Sequence, residues 1–228
     1  QRMEEFGEVV GESKAIKILI DHHQQPEKFY DYILSDVEAS SAAQLVYRFL
    51  ELLGEESLIN TDIAECLYAG IMTDSGNFRF SSTSSETHRI VAKLIDAGVK
   101  PDKVYNLVFD DNSLERMNLL GYTLLNKLKF FPEYHTAMIS LSRDELKQFR
   151  HKQGDTEGFV NFPLSIKGVR LSALLIEKKK LVKLSFRSKG NFSVNQFARD
   201  HFSGGGHVNA AGGESRVSLD ETVNKFIS

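Results

Sequence analysis

Three groups of residues in this sequence have the types and spacing to do chemistry. The first is Asp21-His22-His23, directly after the apolar run Ala15–Ile20. Imidazole and carboxylate at a strand end can ligate Mn²⁺, Zn²⁺ or Fe, and an adjacent carboxylate can orient the imidazole. The alternative is a solvated loop with two histidines. The second group centres on Asp74, in Thr73-Asp74-Ser75-Gly76-Asn77-Phe78-Arg79-Phe80. Here a carboxylate stands where an apolar helix stops, Gly76 permits a tight backbone path near a ligand, and Arg79 is within reach of a substrate phosphate. An exposed turn with a surface Arg is the competing reading. The third group is the most specific: Gly204-Gly205-Gly206-His207 followed by Val208-Asn209-Ala210-Ala211-Gly212-Gly213. Consecutive glycines expose backbone N–H groups that can cradle a phosphate oxygen. A linker rarely places a His and an Ala-Ala-Gly-Gly run straight after them. Arg187 and Asn195 are candidate phosphate or sugar partners, against the readings of a surface Arg and a helix-cap Asn.

These residues need elements to position them. Ala15–Ile20 reads as a buried parallel strand, whose C-terminal end is where α/β proteins bind ligands. Ser40 or Ser41 caps a helix bearing Leu45, Val46, Phe49, Leu50 and Leu53, closed by Gly54. Thr61 caps another, with Ile63, Leu67 and Ile71 spaced by four. Thr83 and Glu86 form a capping box for a helix carrying Ile90, Val91, Leu94 and Ile95. Pro101 opens a short helix over 101–109. A longer helix over Leu114–Leu128 serves as a connector. Beyond it, Thr136–Leu141 is strand-like, Ser142 and Glu145 form a second capping box, and Arg170–Glu177 with Leu181–Arg187 makes an antiparallel hairpin with Lys178-Lys179-Lys180 at its tip. A short helix over Val194–His201 leads into the glycines.

The whole chain has 228 residues and a net charge of −3, which reads as a bland soluble protein. The halves differ. Residues 1–124 carry 11 basic and 21 acidic side chains, a net of −10, and residues 125–228 carry 17 and 10, a net of +7. A metal-binding lobe wants carboxylates and a phosphate-binding lobe wants Lys and Arg. The single cysteine, Cys66, excludes an intrachain disulfide and a cysteine zinc cluster, and its apolar setting reads as a buried helix face. No apolar run approaches the ~20 residues of a membrane span, and no signal peptide is visible. The expectation is a cytoplasmic protein with no membrane partner.

Together the three motifs resemble the DHH/DHHA1 phosphoesterase family, through Asp21-His22-His23, the TDSGxFRF segment at 73–80 and the FSGGGHxNAAGG segment at 202–213. The likeness spans nearly the whole chain in the family's order, and is strongest to the oligoribonucleases that also act as 3′-phosphoadenosine 5′-phosphate phosphatases. The resemblance implies an α/β fold. The remnant of a parallel-sheet DHH domain occupies 1–112, a connector helix 113–129, and a smaller α+β DHHA1 domain with a central mixed sheet 130–228. It also implies a two-metal hydrolase, usually Mn²⁺-dependent with Mg²⁺ or Co²⁺ as substitutes, working in the cleft between the lobes by attack of metal-activated water. His22 and Asp74 would be metal ligands, His23 would contact the scissile phosphate, and Asp21 would support the site. His207 and the Gly204–Gly206 backbone would hold substrate phosphate, assisted by Arg187, with Arg79 and Asn195 as further substrate contacts.

One departure from the family pattern stands out. Its His-x-x-x-Asp-x-Asp motif and a further metal-binding Asp are missing upstream of Asp21, and two ligands cannot hold a two-metal cluster. The expectation is therefore the C-terminal two-thirds of a longer enzyme, inactive as given. The parent's substrates would be short oligoribonucleotides, 3′-phosphoadenosine 5′-phosphate, or both. The alternatives are a phosphoesterase acting on polyphosphate or on cyclic or linear dinucleotides, and a module that binds nucleotides without turning them over. Phe78 and Phe192 are candidates to stack on a base. A homodimer is left open, since oligomeric state is not readable from the sequence.

Overall fold

The apolar run before Asp21 folds as a strand, but a shorter one than its composition suggests. In this computed structural model, which describes residues 6–24, 26 and 28–228, strand β1 covers only Ile18–Asp21. It follows helix α1 (Phe6–Glu12), which buries none of its residues. β1 pairs in parallel with β2 (Tyr32–Ser35), Ile18 opposite Tyr32 and Asp21 opposite Ser35. The strand was expected to be buried; instead Ile18 is exposed and Leu19 and Ile20 are half-buried, and in β2 Tyr32 and Ile33 are exposed as well. Burial of a parallel strand needs cover on both faces, and helix α2 (Ala42–Leu53) is the described helix that packs against this pair.

The chain divides into two compact units, one ending at Asp111 and the other beginning at Asn112. In the first unit, Ser41 caps α2, its hydroxyl accepting from the Gln44 N–H, and Gly54 ends the helix in the left-handed conformation. Helix α3 (Thr61–Asp74) is capped by Asn60 rather than Thr61, because the Thr61 hydroxyl donates to the Ala97 carbonyl at 2.9 Å. Helix α4 (Ser85–Asp96) uses Ser84 and Thr87 as its capping box, not Thr83 and Glu86. The Glu86 carboxylate is taken by Arg48 instead. Helix α5 (Pro101–Tyr105) continues as a wide π turn to Asp110. The core joins Tyr47, Leu67, Tyr68, Ile71, Met72, Ile90, Val91 and Leu94 from α2, α3 and α4. Cys66 is exposed, against expectation. The buried stripe of α3 runs through Ala64, Leu67, Tyr68 and Ile71, and helical spacing turns residue 66 away from it.

In the second unit, helix α6 (Leu114–Tyr122) was expected to reach Leu128. It widens into a π turn over Thr123–Lys127, and strand β3 (Leu128–Phe131) begins where the helix was to end. The sheet runs β3-β4-β5-β6-β8-β7, with β4 (Thr136–Leu141), β5 (Leu171–Glu177), β6 (Val182–Ser188), β7 (Gly205–His207) and β8 (Ala210–Ser215). β4 and β5 are parallel, the remaining pairs antiparallel. Alternate residues feed two cores, as the period of a strand requires. Met138, Ala173 and Leu175 meet helices α8 (Val194–Phe202) and α9 (Leu219–Ile227). Ile139, Leu141, Leu174 and Ile176 meet α6, helix α7 (Arg143–Gln148) and the segment around Phe159. Burial on both faces explains why β4 is apolar or small along its whole length. Among the described residues no helix is long and apolar enough to cross a membrane.

Candidate functional site

Asp21 ends β1, and the turn after it brings both histidines under control. The Asp21 carboxylate accepts from the His23 backbone N–H at 3.0 Å and from His23 Nδ1 at 2.6 Å. This orients the His23 ring through its Nδ1. His22 is buried, and its Nδ1 lies 3.1 Å from the Ala39 carbonyl oxygen. A carbonyl oxygen can only accept, so Nδ1 is the donor, and in the neutral imidazole the lone pair then lies on Nε2. That Nε2 lies 3.6 Å from Asp74 Oδ2, and the Asp74 side chain is 53% exposed. Two electron-pair donors, one imidazole and one carboxylate, thus converge at the ends of β1 and α3. A divalent cation suits that pair of donors.

The chain after Asp74 is held in an unusual path. Gly76, Asn77 and Phe78 are all left-handed, with φ of 60°, 58° and 63°. Non-glycine residues visit this region at a cost, so Asn77 and Phe78 must be held there. Ser75 does much of the holding. Its hydroxyl accepts from the Phe78 N–H at 3.0 Å, and its carbonyl accepts from the N–H groups of Arg79 and Phe80 at 3.1 and 3.0 Å. A Cβ on Gly76 would lie 2.5 Å from the Phe80 ring, so the position excludes a side chain on two counts. Phe78 packs against Tyr68 and His88 as part of the core. Arg79 is exposed, its guanidinium 5.3 Å from the centre of the Phe80 ring.

In the second unit Gly205 and Gly206, with His207, form edge strand β7 rather than an open loop. His207 pairs with Ala210, Gly206 with Ala211 and Gly205 with Gly212. Two of the glycine N–H groups already have protein acceptors: Gly204 donates to the Ala198 carbonyl at 3.1 Å, and Gly206 to Asn195 Oδ1 at 2.9 Å. The small residues let strands and helix approach closely. A Cβ on Gly206, whose φ is 156°, would sit 2.7 Å from the Ala211 Cα. Asn195 is buried, and its Oδ1 also accepts from Arg199 Nε at 3.2 Å. Arg199 is exposed, and sequence reasoning missed it. Its signal was the four-residue helical spacing from Asn195, which stacks both over the glycine strand. Arg187, on β6, is half-buried and donates to the Phe186 carbonyl at 2.9 Å. Burial pulls its pKa down while nearby Glu157 pushes it up, and a guanidinium stays charged regardless. Phe192 is 47% exposed and packs at a tilt beside Phe197.

An α/β unit carrying an Asp-His-His strand end and a mixed-sheet unit edged by Gly-Gly-Gly-His define a two-domain class, and comparison with known proteins bears this out. Residues 3–71 match the DHH family N-terminal domain, and residues 135–228 match the DHHA1 domain. The chain belongs to the DHH/DHHA1 family. It is 31% identical over 204 residues to the "bifunctional oligoribonuclease and PAP phosphatase NrnA" of Bacillus subtilis, covering 89% of this chain and 63% of that protein. The protein of the same name in Thermus thermophilus is 31% identical over 212 residues, covering 92% and 62%. The crystal structure of an exopolyphosphatase-related protein from Bacteroides fragilis superposes with a TM-score of 0.93 at 41% identity, covering 99% of this chain and 66% of that one. The chain therefore spans a little under two-thirds of the length of the curated relatives.

Proposed function

We propose that the protein is a metal-dependent phosphoester hydrolase that releases mononucleotides from short oligoribonucleotides and removes the 3′-phosphate of 3′-phosphoadenosine 5′-phosphate. The observation that carries this reading is His22: its Nδ1 is satisfied by a backbone carbonyl, and its Nε2 faces the Asp74 carboxylate. His22 and Asp74 hold a divalent ion, Mn²⁺ first and Mg²⁺ or Co²⁺ in its place. Such an ion supplies Lewis acidity, which activates water near neutral pH and offsets phosphate charge. His23, held by Asp21 through Nδ1, presents its Nε2 to a phosphate oxygen or a leaving group. In the second unit His207, Arg187 and Arg199 carry the affinity for phosphate, and Asn195 holds the glycine strand in place. Similarity to proteins with these named activities supports the substrate assignment.

His22 and Asp74 by themselves would hold an ion weakly, so this chain as it stands is expected to bind nucleotide without turnover. The test uses the natural full-length protein, loaded with Mn²⁺, and RNAs of two to five nucleotides. Release of mononucleotides is expected, and a metal-loaded protein that releases none refutes the reading. A second reading, hydrolysis of polyphosphate or of a cyclic dinucleotide, is favoured by the Bacteroides structure's description and by 31% identity to the "cyclic-di-AMP phosphodiesterase GdpP" of Bacillus subtilis. Turnover of those substrates but not of RNA would select it.

A further inference from the structure

Gln44 lies on the first turn of α2 and is 1% exposed. Four hydrogen bonds hold its amide. Oε1 accepts from the Ser40 N–H at 3.1 Å, the Ser40 hydroxyl at 2.7 Å and the Thr87 hydroxyl at 3.1 Å, while Nε2 donates to Glu86 at 3.2 Å. Three donors at one end and a carboxylate at the other leave the amide a single orientation. Glu86 is itself gripped by two guanidinium nitrogens of Arg48, which also holds Asp36 at 2.6 Å. The reach of Gln44 is displaced by one residue from a capping box, in which the third helical residue takes the N–H of the cap itself. Here the cap is Ser41, and Gln44 takes the N–H before it.

That N–H shares a peptide group with the Ala39 carbonyl. The peptide is planar and trans, so its N–H and C=O point in opposite directions, and fixing one fixes the other. The Ala39 carbonyl is the group that accepts from His22 Nδ1. We propose that Gln44 is a positioning residue for His22. Through one peptide plane it aims the carbonyl that sets the imidazole tautomer, keeping Nε2 as an electron-pair donor toward Asp74. Donation by the N–H also polarises the same carbonyl and strengthens it as an acceptor. The chain of contacts runs Arg48, Glu86, Gln44, the 39–40 peptide, His22, and it lies wholly in the first unit. The inference borrows from the functional reading only its consequence for metal affinity; the tautomer stands apart from it.

Long-range ¹H–¹⁵N correlation of the labelled chain, at a pH where histidine is neutral, reads the tautomer directly. Wild-type His22 is expected to carry its proton on Nδ1. Gln44→Met keeps the volume and removes the acceptor, so the Nδ1–H population should fall and the two nitrogens should move toward averaged shifts. Mn²⁺ affinity should drop by roughly tenfold or more, as for other partners of metal ligands. Ser40→Ala removes the hydroxyl bond but leaves the peptide N–H bond, and should leave the tautomer unchanged. If Gln44→Met does not fold, Gln44→Asn serves, being polar but one methylene too short. A wild-type His22 protonated on Nε2 overturns the proposal, as does an unshifted tautomer in a folded Gln44 variant. A correct tautomer in the wild-type chain, with no measurable Mn²⁺ binding by the full-length protein, refutes the metal reading while upholding the role of Gln44.

Discussion

Asp74 and His22 differ in burial, and this separates function from stability at the scale of single residues. The Asp74 side chain is 53% exposed, while that of His22 is 7% exposed. Asp74→Asn keeps the shape and removes the charge, so it should change the melting temperature little and weaken Mn²⁺ binding at least tenfold, since a neutral amide is a poor ligand for a hard cation. Calorimetric titration and a thermal melt read the two effects; an unchanged affinity would remove Asp74 from the donor set. The sequence singled out Asp21, His22, His23 and Asp74 against the readings of a solvated loop and an exposed turn, and the fold sets them at the ends of β1 and α3. Gln44 was not legible, because its effect on His22 passes through backbone and joins positions 22 residues apart in the chain. Arg199 was missed for another reason: a helix-surface Arg looks alike in sequence whether or not a glycine strand runs beneath it.

Glycine-rich strings behave differently residue by residue once they belong to an element. In β7 a Cβ on Gly205 would meet nothing closer than 3.4 Å, an ordinary contact, whereas on Gly206 it would drive into the backbone of β8. Gly205→Ala should therefore fold with a stability change below about 1 kcal/mol, and Gly206→Ala should destabilise by about 2 kcal/mol or more. Chemical denaturation of both variants checks the contrast, and equal effects would mean that the strand pairing is wrong. Gly76→Ala should be costly on the same grounds, through its left-handed φ and the Phe80 ring. The sequence showed that glycines were needed at 204–206 but assigned the need to a ligand. Close packing of β7 on β8 accounts for Gly206 without one. Helices were easier to read than strands here, because caps are local chemistry. Even so, α3 and α4 each use a cap one residue away from the expected one, since Thr61 and Glu86 are drawn to partners 36 and 38 residues away in the chain. Strand β2 gave little signal, being four residues long and mostly exposed.

For the whole molecule, the charge division anticipated from composition at 124/125 keeps its size when taken at the unit boundary, Asp111/Asn112, because Glu115 and Arg116 cancel. Residues 112–228 carry 18 basic and 11 acidic side chains, a net of +7, so acidification drives this unit further from neutrality and adds self-repulsion. One carboxylate there adds a specific term. Burial raises the Glu145 pKa, but Lys127, the Ser142 N–H and hydroxyl and the Tyr122 hydroxyl together outweigh it and hold the group at about 2, against an ordinary 4.5. Because the folded value is depressed, the stabilisation is complete above about pH 4.5 and is lost as pH falls toward about 2. It amounts to about 3 kcal/mol at most. Glu145 also closes the α7 capping box, and its contacts with Tyr122 at 2.5 Å and Lys127 at 2.8 Å tie α7 to the end of α6. Glu145→Gln should thus lower stability at neutral pH and flatten the fall between pH 4.5 and 2. Amide exchange of β4 and β5 localises the measurement to this unit. The first unit supplies an internal reference, because Asp36 and Glu86 are held low by Arg48 and are untouched by the substitution. Protection in β4 and β5 that falls just as steeply with acid in Glu145→Gln would transfer the acid sensitivity from this carboxylate to net charge alone.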